Sequence, residues 1–313
     1  MKINILLSTY NGEKYLSEQL DSILTQTYQD WRLLIRDDGS EDGTRLLIKK
    51  YQQKDKRIEF INENSSENIG FISSFFRLLK FSEADYYFFC DQDDIWLPNK
   101  IELTINRAFN DNQNEPMLYF TSLTVVRSDL QEIGKREIDS KRLKLTDELL
   151  GNQVTGGVMM VNRRLASLWE SMDSCVISHD WYLALLASAT GQIVYIEQST
   201  ELYRQHENNV IGEQITHSVN DNLKSLKNNG ISNVLSKQWE YIKKTQLQAS
   251  KLFQIEEIDK NKIQIIQDFV ELSDQSILRR TMAMLKHRYR RNSKKDTFLL
   301  SLLLLTNFGR GRD

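Results

Sequence analysis

The sequence predicts an α/β protein with a mostly parallel sheet flanked by helices, followed by a helical C-terminal region. Short runs of branched and aromatic residues alternate with helical segments as far as about residue 121, an order typical of parallel strands. A shorter mixture of strands and helices follows to about residue 212. No strand pattern is found after about residue 215, so we expect two regions, 1–213 and 214–313.

Each predicted strand is rich in β-branched or aromatic residues, which favour the pleated surface of a sheet. In the first part of the chain the predicted strands are Ile3–Ser8, Trp31–Arg36, Arg57–Ile61, Tyr86–Cys90 and Met117–Thr121. The predicted helices between them are Glu13–Thr25, Gly43–Tyr51, Ile72–Phe81 and Asn99–Phe109. Ligands of such sheets bind beyond the carboxyl ends of the strands, so a functional site is expected there.

The remaining elements follow the same criteria. The second part contains the predicted strands Leu123–Arg127, Val158–Asn162 and Ile193–Ile196, and the predicted helices Arg163–Met172 and Asp180–Thr190. The C-terminal region is predicted to contain the helices Val219–Lys227, Val234–Phe253, Asn261–Leu272, Ile277–Arg291 and Thr297–Asn307. These long helices leave open the pairing of the chain with a second copy as a homodimer.

Composition excludes several classes of protein. Two prolines and 13 glycines among 313 residues exclude collagen-like and Pro- or Gly-rich disordered chains. Two cysteines without a CxxC pair exclude a disulfide framework and make a structural zinc site an unexpected feature. The N-terminal segment is too short and polar for a signal peptide, and no apolar run reaches the ~18 residues of a membrane span. A cytoplasmic location is therefore expected.

Charge is distributed unevenly, although the net charge is only −2. Residues from Arg279 to Asp313 include ten Lys or Arg and two acidic residues, whereas residues 1–278 carry a net charge of −10. The apolar run Thr297–Leu305 is too short to span a bilayer, but it suits the interface of an anionic membrane. The alternative is a helix packed on the protein or on a second subunit. Nucleic-acid binding is not expected because few aromatic residues are interleaved.

An acidic cluster follows the apolar strand Tyr86–Cys90 directly. Three carboxylates in the sequence Asp91-Gln92-Asp93-Asp94 repel one another unless a cation or hydrogen-bond donors compensate. Alternate residues of an extended segment point to the same side, so Asp91 and Asp93 are expected to converge. Mg²⁺ or Mn²⁺ bridging phosphate oxygens suits such a pair. The alternative is a solvated turn in which Asp94 caps the next helix.

The first two predicted strands also end in polar turns. Asp37-Asp38-Gly39-Ser40 alone would be ordinary turn chemistry, but a second acidic turn in the same sheet favours a ligand site. Asp38 is suited to accept a hydrogen bond from a pyrimidine ring N–H. Ser8-Thr9-Tyr10-Asn11-Gly12 provides a stacking platform or a turn. Motifs typical of dinucleotide-binding, P-loop, α/β-hydrolase and zinc-protease sites are missing, which favours a nucleotide held by carboxylates and a metal.

Two further motifs lie in the second part of the chain. Ser178-His179-Asp180-Trp181 precedes an apolar helix, and Asp180 suits either the helix N-cap or a general base for an incoming hydroxyl. Tyr203-Arg204-Gln205-His206 provides a basic pair and a potential metal ligand, although a lone His is more often structural.

In combination these motifs resemble the inverting family 2 glycosyltransferases with the GT-A fold. The resemblance covers about residues 1–212 and rests on Thr9-Tyr10-Asn11-Gly12, Asp37–Thr44, Asn68-Ile69-Gly70 and Asp91–Trp96 with Pro98 and Lys100. It implies that the base contacts Thr9, Tyr10 and Asp38, and that Asp91 contacts the sugar nucleotide. It also implies that Asp93 binds Mn²⁺ or Mg²⁺ and that Asp180 is the catalytic base, although His179 stands where many members carry Glu.

The second pair of motifs has a narrower resemblance. His179-Asp180-Trp181 together with Tyr203–Gly212 resembles rhamnosyltransferases of streptococcal-type rhamnose cell-wall polysaccharides. This resemblance implies a dTDP-β-L-rhamnose donor, a lipid-linked saccharide acceptor at the inner face of the cell membrane, and an α-L-rhamnoside product, expected as α-1,3. It further implies Arg204 in donor binding and His206 as a metal ligand. Gly156, Gly157, His179 and Trp181 are implied on the acceptor side.

Three functions stay open at this point. The first is the metal-dependent rhamnosyltransferase, and the second is the same fold with UDP-glucose, UDP-galactose or UDP-N-acetylglucosamine as donor. The third is a non-catalytic subunit of a polysaccharide assembly complex. The presence of Asp38, Asp91, Asp93 and Asp180 together argues against the third function, because a subunit without activity does not need them.

Overall fold

The computed structural model describes residues 1–136, 138–172, 174–206, 219–291, 294–308 and 310. Within these residues nine strands form one sheet in the order β3-β2-β1-β4-β8-β6-β9-β5, with β7 paired to β6. The strands are β1 (Ile3–Thr9), β2 (Arg32–Asp37), β3 (Ile58–Phe60), β4 (Tyr86–Cys90), β5 (Ile95–Trp96), β6 (Met117–Val126), β7 (Glu132–Lys135), β8 (Met159–Asn162) and β9 (Gln192–Arg204).

Helices connect the strands and then form the C-terminal region. The helices of the sheet region are α1 (Leu16–Leu24), α2 (Thr44–Lys54), α3 (Phe71–Phe81), α4 (Lys100–Ala108), α5 (Leu145–Glu148), α6 (Arg163–Leu168) and α7 (His179–Thr190). The C-terminal helices are α8 (Val219–Ser250), α9 (Lys260–Val270), α10 (Ile277–His287) and α11 (Lys294–Thr306). No helix among the described residues has the length and apolar character needed to cross a membrane.

The sheet is parallel in one half and mixed in the other, as the predicted α/β fold with flanking helices requires. β1 pairs in parallel with β2 and β4, and β2 pairs in parallel with β3. β8 runs antiparallel to β4 and β6, whereas β9 is parallel to β6. Because β1, β2 and β4 run in the same direction, their carboxyl ends meet at one edge, where Thr9 lies beside Asp37.

Two predicted pairs of elements are single elements in the structure. Met117–Thr121 and Leu123–Arg127 form the one strand β6, whose register with β9 shifts beside Ser122. Val219–Lys227 and Val234–Phe253 belong to one helix, α8, because the intervening Asn228-Asn229-Gly230 does not end it. A glycine inside a helix costs only about 1 kcal/mol, which the neighbouring turns can offset. The short strands β5 and β7 were not predicted. β5 has only two residues and β7 is exposed along its length, so neither shows an apolar pattern in the sequence.

Two apolar cores lie on opposite faces of the sheet. Ile5 and Leu7 of β1 pack in one core with α1, α2 and α4, and Leu6 packs in the other with α3 and α7. The second core continues into the C-terminal helices, which bury Trp239 and Phe269. The boundary predicted near residue 213 lies outside the described residues and stays a prediction.

Candidate active site

The polar residues that follow the strands gather at the carboxyl edge of the sheet. Residues Asp91–Asp94 follow β4, and the end of β9 lies against them. The backbone N–H of Arg204 donates to Asp94 Oδ1 over 2.8 Å. The side-chain amide of Gln92 donates to the Tyr10 carbonyl over 3.0 Å and accepts from the Tyr10 N–H over 2.9 Å. These bonds join the ends of β1, β4 and β9 into one site.

Asp93 and His206 form the central pair of this site. Asp93 Oδ2 and His206 Nε2 lie 2.8 Å apart in a hydrogen bond. The His206 ring stacks on Tyr15, with 5.0 Å between the ring centroids. Arg204 Nε donates to the Asp93 carbonyl over 2.9 Å, so both members of the pair are held in place.

Asp93 and His206 carry atom types that could hold a divalent cation. The 2.8 Å separation of Asp93 Oδ2 and His206 Nε2 is that of a hydrogen bond, which a bound ion would replace. Within the described residues, no three His, Cys, Asp or Glu side chains are grouped to hold a metal. Mg²⁺ and Mn²⁺ suit such a site, because diphosphate oxygens and water complete their coordination.

The electrostatics of the acidic cluster also favour a cation. Burial, together with the nearby carboxylates of Asp93 and Glu201, raises the pKa of Asp91 well above its ordinary value. Burial and the same two carboxylates raise the pKa of Asp94. Within the described part of the chain, Asp94 Oδ2 and Glu201 Oε1 are buried without a hydrogen-bond partner. The ionised form of this cluster is therefore disfavoured unless a cation compensates its charge.

A buried ion pair that was not predicted lies beneath the cluster. Lys100 Nζ donates to Glu201 Oε2 and to the Gly157 carbonyl, each over 2.5 Å, and both side chains are almost fully buried. The ammonium lies 3.9 Å from the centroid of the Trp96 ring. The sequence signals for this pair were weak. Lys100 was noted only as part of the acidic motif, and Glu201 lies in the part of β9 beyond residue 196, where the predicted strand ended.

Gly156 and Gly157 form a close turn between the two sides of the site. A Cβ atom on Gly157 would lie 2.7 Å from Glu201 Oε1 and 3.0 Å from Asp91 Oδ2. A Cβ atom on Gly156 would lie 2.7 Å from His179 Nε2. The turn therefore separates Asp91 from the start of α7, and neither position has room for a side chain.

Asp180 lies in the first turn of α7, on the other side of this turn. The N-cap residue of α7 is Ser178, so the alternative role of Asp180 as N-cap is wrong. Asp180 Oδ2 accepts a hydrogen bond from Asn152 Nδ2 over 2.9 Å. The negative charge of Asp180 contributes to the raised pKa of Asp91, so the two carboxylates are close enough to interact. Similarly, Asp94 does not cap α4, whose N-cap residue is Asn99.

His179 lies in an aromatic environment beside Asp180. Its ring stacks on Phe75 with a centroid distance of 4.1 Å and on Phe89 with 5.2 Å. Burial lowers the pKa of His179 to about 4, so the imidazole is neutral at pH 7. Within the described residues neither ring nitrogen has a hydrogen-bond partner. The implied acceptor-side residue is thus an uncharged group next to the candidate base.

The three residues implied in base binding differ in their availability. The Tyr10 side chain is half exposed, which suits a stacking surface. The Thr9 hydroxyl is buried and donates to Asp37 Oδ2 over 3.0 Å. Asp38 accepts from Arg36 and from the backbone N–H groups of residues 69 and 70. Asp38 therefore holds the Asn68-Ile69-Gly70 loop, and its oxygens have limited capacity for a ligand.

Two other implied contacts are directed into the protein. The buried guanidinium of Arg204 donates to Glu18 over 2.6 Å and to the Ser128 carbonyl over 2.8 Å, in addition to the Asp93 carbonyl. Arg204 thus supports Asp93 through its backbone carbonyl, and its role in donor binding stays a prediction. Trp181 is buried and donates through Nε1 to the Glu148 carbonyl over 2.6 Å. The ring of Trp181 packs in the core, and its predicted place on the acceptor side stays a prediction.

Comparison with known proteins identifies a family for the first half of the chain. The sequence profile described as "Glycosyl transferase family 2" matches residues 4–164. The dTDP-rhamnosyl transferase RfbG of Shigella flexneri is 30% identical over 67% of this chain and 75% of its own length. The UDP-Glc:alpha-D-GlcNAc-diphosphoundecaprenol beta-1,3-glucosyltransferase WfgD of Escherichia coli is 34% identical over 35% of this chain and 42% of its own length.

Solved structures show the same fold at low sequence identity. Residues 1–349 of S. aureus TarS, in complex with UDP-GlcNAc, have a TM-score of 0.56 and 17% identity, covering 92% of this chain and 80% of that one. The mannosyltransferase PcManGT of Pyrobaculum calidifontis, in complex with GDP-Man and Mn²⁺, has a TM-score of 0.54 and 12% identity, covering 98% and 80%.

Proposed function

The chain belongs to glycosyl transferase family 2, and from this premise we propose that it transfers L-rhamnose from dTDP-β-L-rhamnose to a lipid-linked saccharide. One observation carries the proposal: the Gly156-Gly157 turn lies between the Asp91 side of the site and Asp180 on the other side. This arrangement provides a donor side and an acceptor side. Family membership also disfavours the non-catalytic alternative.

The donor side is formed by the ends of β1, β4 and β9. The exposed ring of Tyr10 is available for stacking on the base, and Asp38 keeps the neighbouring loop in place. Asp93 and His206 would hold the divalent ion, and the Arg204 bond to the Asp93 carbonyl fixes the backbone at this position. When bound, such an ion neutralises the negative charge that develops on the departing diphosphate.

The reaction itself is a single displacement. Asp180 takes the proton from an acceptor hydroxyl, and the hydroxyl oxygen forms a bond to the anomeric carbon of rhamnose. The bond from that carbon to the diphosphate oxygen breaks, and its electron pair leaves with dTDP. Attack from the opposite face inverts the centre, so a β-linked donor gives an α-L-rhamnoside. The Asn152 hydrogen bond to Asp180 Oδ2 fixes the orientation of the base.

The proposal also includes the class of acceptor, a lipid-linked saccharide. WfgD is named for a diphosphoundecaprenol-linked acceptor, which supports the same class of acceptor for this chain. The basic C-terminal region is consistent with a reaction at an anionic membrane surface, and we place the protein at the inner face of the cell membrane.

A second candidate function keeps the fold and changes the donor. WfgD is named for a UDP-Glc donor and is 34% identical to this chain over 111 residues. This similarity supports a UDP-hexose donor as the alternative. The RfbG match covers more of the chain, so we favour dTDP-rhamnose.

The donor is tested by nucleoside diphosphate release from purified protein. The panel contains dTDP-L-rhamnose, UDP-glucose, UDP-galactose and UDP-N-acetylglucosamine, with a lipid-linked GlcNAc or rhamnosyl-GlcNAc mimic as acceptor and with Mn²⁺, Mg²⁺ or EDTA. Acceptor-stimulated, EDTA-sensitive release from dTDP-rhamnose alone is the expected result. Release from a UDP-sugar alone would replace the rhamnose proposal with the second candidate, and no release from any donor would contradict both.

The role of Asp180 is tested in the same assay. Removing a general base typically costs at least about 100-fold in rate, so Asp180→Asn should abolish transfer while donor binding stays close to normal. Asp85→Asn is the matched control, because Asp85 precedes β4 at the opposite edge of the sheet and bonds to Arg163. Near-normal turnover by Asp180→Asn would remove it as the base.

A further inference from the structure

Helix α10 exposes an apolar stripe. Leu278, Met282 and Leu285, which we call the α10 stripe, are 75%, 69% and 71% exposed. Their spacing of i, i+4 and i+7 places them on one face of the helix. A soluble helix usually turns such a stripe towards the core.

The opposite face of α10 is turned into the protein and mixes apolar and polar side chains. Ala283 and Met284 pack against the core. Arg280 is only 7% exposed, and Arg280 Nε and Nη1 are buried without a partner among the described residues. The buried His287 side chain bonds through Nε2 to Asp268 Oδ2 over 2.7 Å. The helix therefore buries two polar side chains while it leaves the three large apolar ones of the stripe exposed. An apolar face of this kind, rimmed by polar residues, indicates a surface that another molecule covers.

Basic residues surround the α10 stripe. No acidic residue occurs between Ile277 and Arg291, while this segment contains six arginine or lysine residues. Arg279, Lys286, Arg288 and Arg290 are exposed, and Lys286 Nζ lies 3.7 Å from Asp268 Oδ2. The adjoining helix α11 adds Phe298, which is 72% exposed. The surface of α10 and the turn after it thus combines exposed apolar side chains with an excess of positive charge.

We propose that α10 lies in the interface of an anionic lipid bilayer, with the α10 stripe inserted among the acyl chains. Exposed apolar side chains flanked by Lys and Arg are the pattern of interfacial helices, and anionic lipid attracts the flanking cations. A second copy of the chain is disfavoured, because a stable protein interface buries about 800 Å² on each partner, far more than three or four side chains provide. Two copies would also bring like charges together.

The docking surface coincides only in part with the apolar run that the sequence suggested. Leu300, Leu303 and Leu304 of that run in α11 are buried in the protein and are not available to lipid, whereas Phe298 and Leu302 are 72% and 47% exposed. The α10 stripe supplies the remaining exposed apolar side chains. The inference rests on the proposed function only in that a lipid-linked acceptor makes membrane contact useful.

Vesicle co-sedimentation of the full chain tests the proposal. We expect binding to vesicles of phosphatidylglycerol and phosphatidylcholine, weaker binding at high salt, and little binding to phosphatidylcholine alone. Because withdrawing one large apolar side chain from the bilayer costs about a tenfold change in partition, Leu278→Glu and Leu285→Glu should each lower binding about tenfold or more. Leu46→Glu on α2 is the matched control, since Leu46 is also 75% exposed.

The outcomes separate this proposal from the enzymatic one. Circular dichroism and dTDP release with a water-soluble acceptor should be unchanged in Leu278→Glu, because the stripe does not form part of the active site. Equal vesicle binding by wild type, Leu278→Glu and Leu46→Glu, or no binding by the wild type, would overturn the proposal. A dimer that Leu278→Glu dissociates, without vesicle binding, would assign the surface to a second copy. Failure of dTDP release alone would leave the membrane proposal intact.

Discussion

Breaking the buried ion pair of Lys100 and Glu201 from one side should strongly lower the free energy of unfolding. Lys100→Met leaves the Glu201 carboxylate fully buried beside Asp91 without its cation, and it removes the hydrogen bond to the Gly157 carbonyl. Breaking a buried pair from one side costs about 3–5 kcal/mol, and the lost hydrogen bond adds about 1 kcal/mol. We therefore expect the free energy of unfolding to fall by about 4–6 kcal/mol, a large share of the stability of a typical domain.

The double variant separates the ion pair from the space that it fills. Lys100→Met/Glu201→Leu replaces both charges with apolar side chains, so we expect most of the lost free energy to return and the coupling between the two positions to be about 3 kcal/mol. Urea unfolding at pH 7.5, followed by circular dichroism, measures the four proteins of the cycle: the wild type, Lys100→Met, Glu201→Leu and the double variant. Lys49→Met is the control, because the exposed ion pair of Lys49 with Glu63 should be worth less than about 1 kcal/mol.

Two results would refute this reasoning. If Lys100→Met changed the unfolding free energy no more than Lys49→Met, the Glu201 carboxylate would not depend on the ammonium. If the double variant were as unstable as Lys100→Met, the loss would come from packing around Trp96 and not from an unpaired charge.

Three further predictions concern the site. Gly157→Ala places a methyl group 2.7 Å from Glu201 Oε1, so transfer should fall about 100-fold in steady-state assays while circular dichroism is unchanged; normal turnover would contradict the close fit. Because the pKa of His179 is about 4 in the folded chain and 6.5 ordinarily, the unfolded state binds the proton first as pH falls. Stability of about 3 kcal/mol should therefore be lost between pH 6.5 and 4, and His179→Phe should flatten this loss in urea titrations; parallel pH curves would disprove it. Asp93→Asn should raise the Mn²⁺ concentration for half-maximal activity about tenfold or more, since it leaves His206 without its partner ligand; an unchanged titration would exclude Asp93 as a ligand.

The order of the elements and the strand ends at which polar groups lie follow from local features of the sequence. Strands such as Tyr86–Cys90 are short runs of aromatic and branched residues, whose preference for a sheet is local. The acidic turn that follows β4 is equally local, so residues Asp91–Asp94 could be placed at the end of a strand before the sheet was known.

The distant residues that meet there are brought together by long-range packing, which no local pattern reports. Asp93 and His206 are 113 residues apart, and the pairing of β9 with β6 and β5 brings them within 2.8 Å. The Lys100–Glu201 pair and the exposure of the α10 stripe follow from the same kind of long-range packing. Propensity and apolar spacing report which side of a helix is apolar, but what that side faces depends on every other element of the fold.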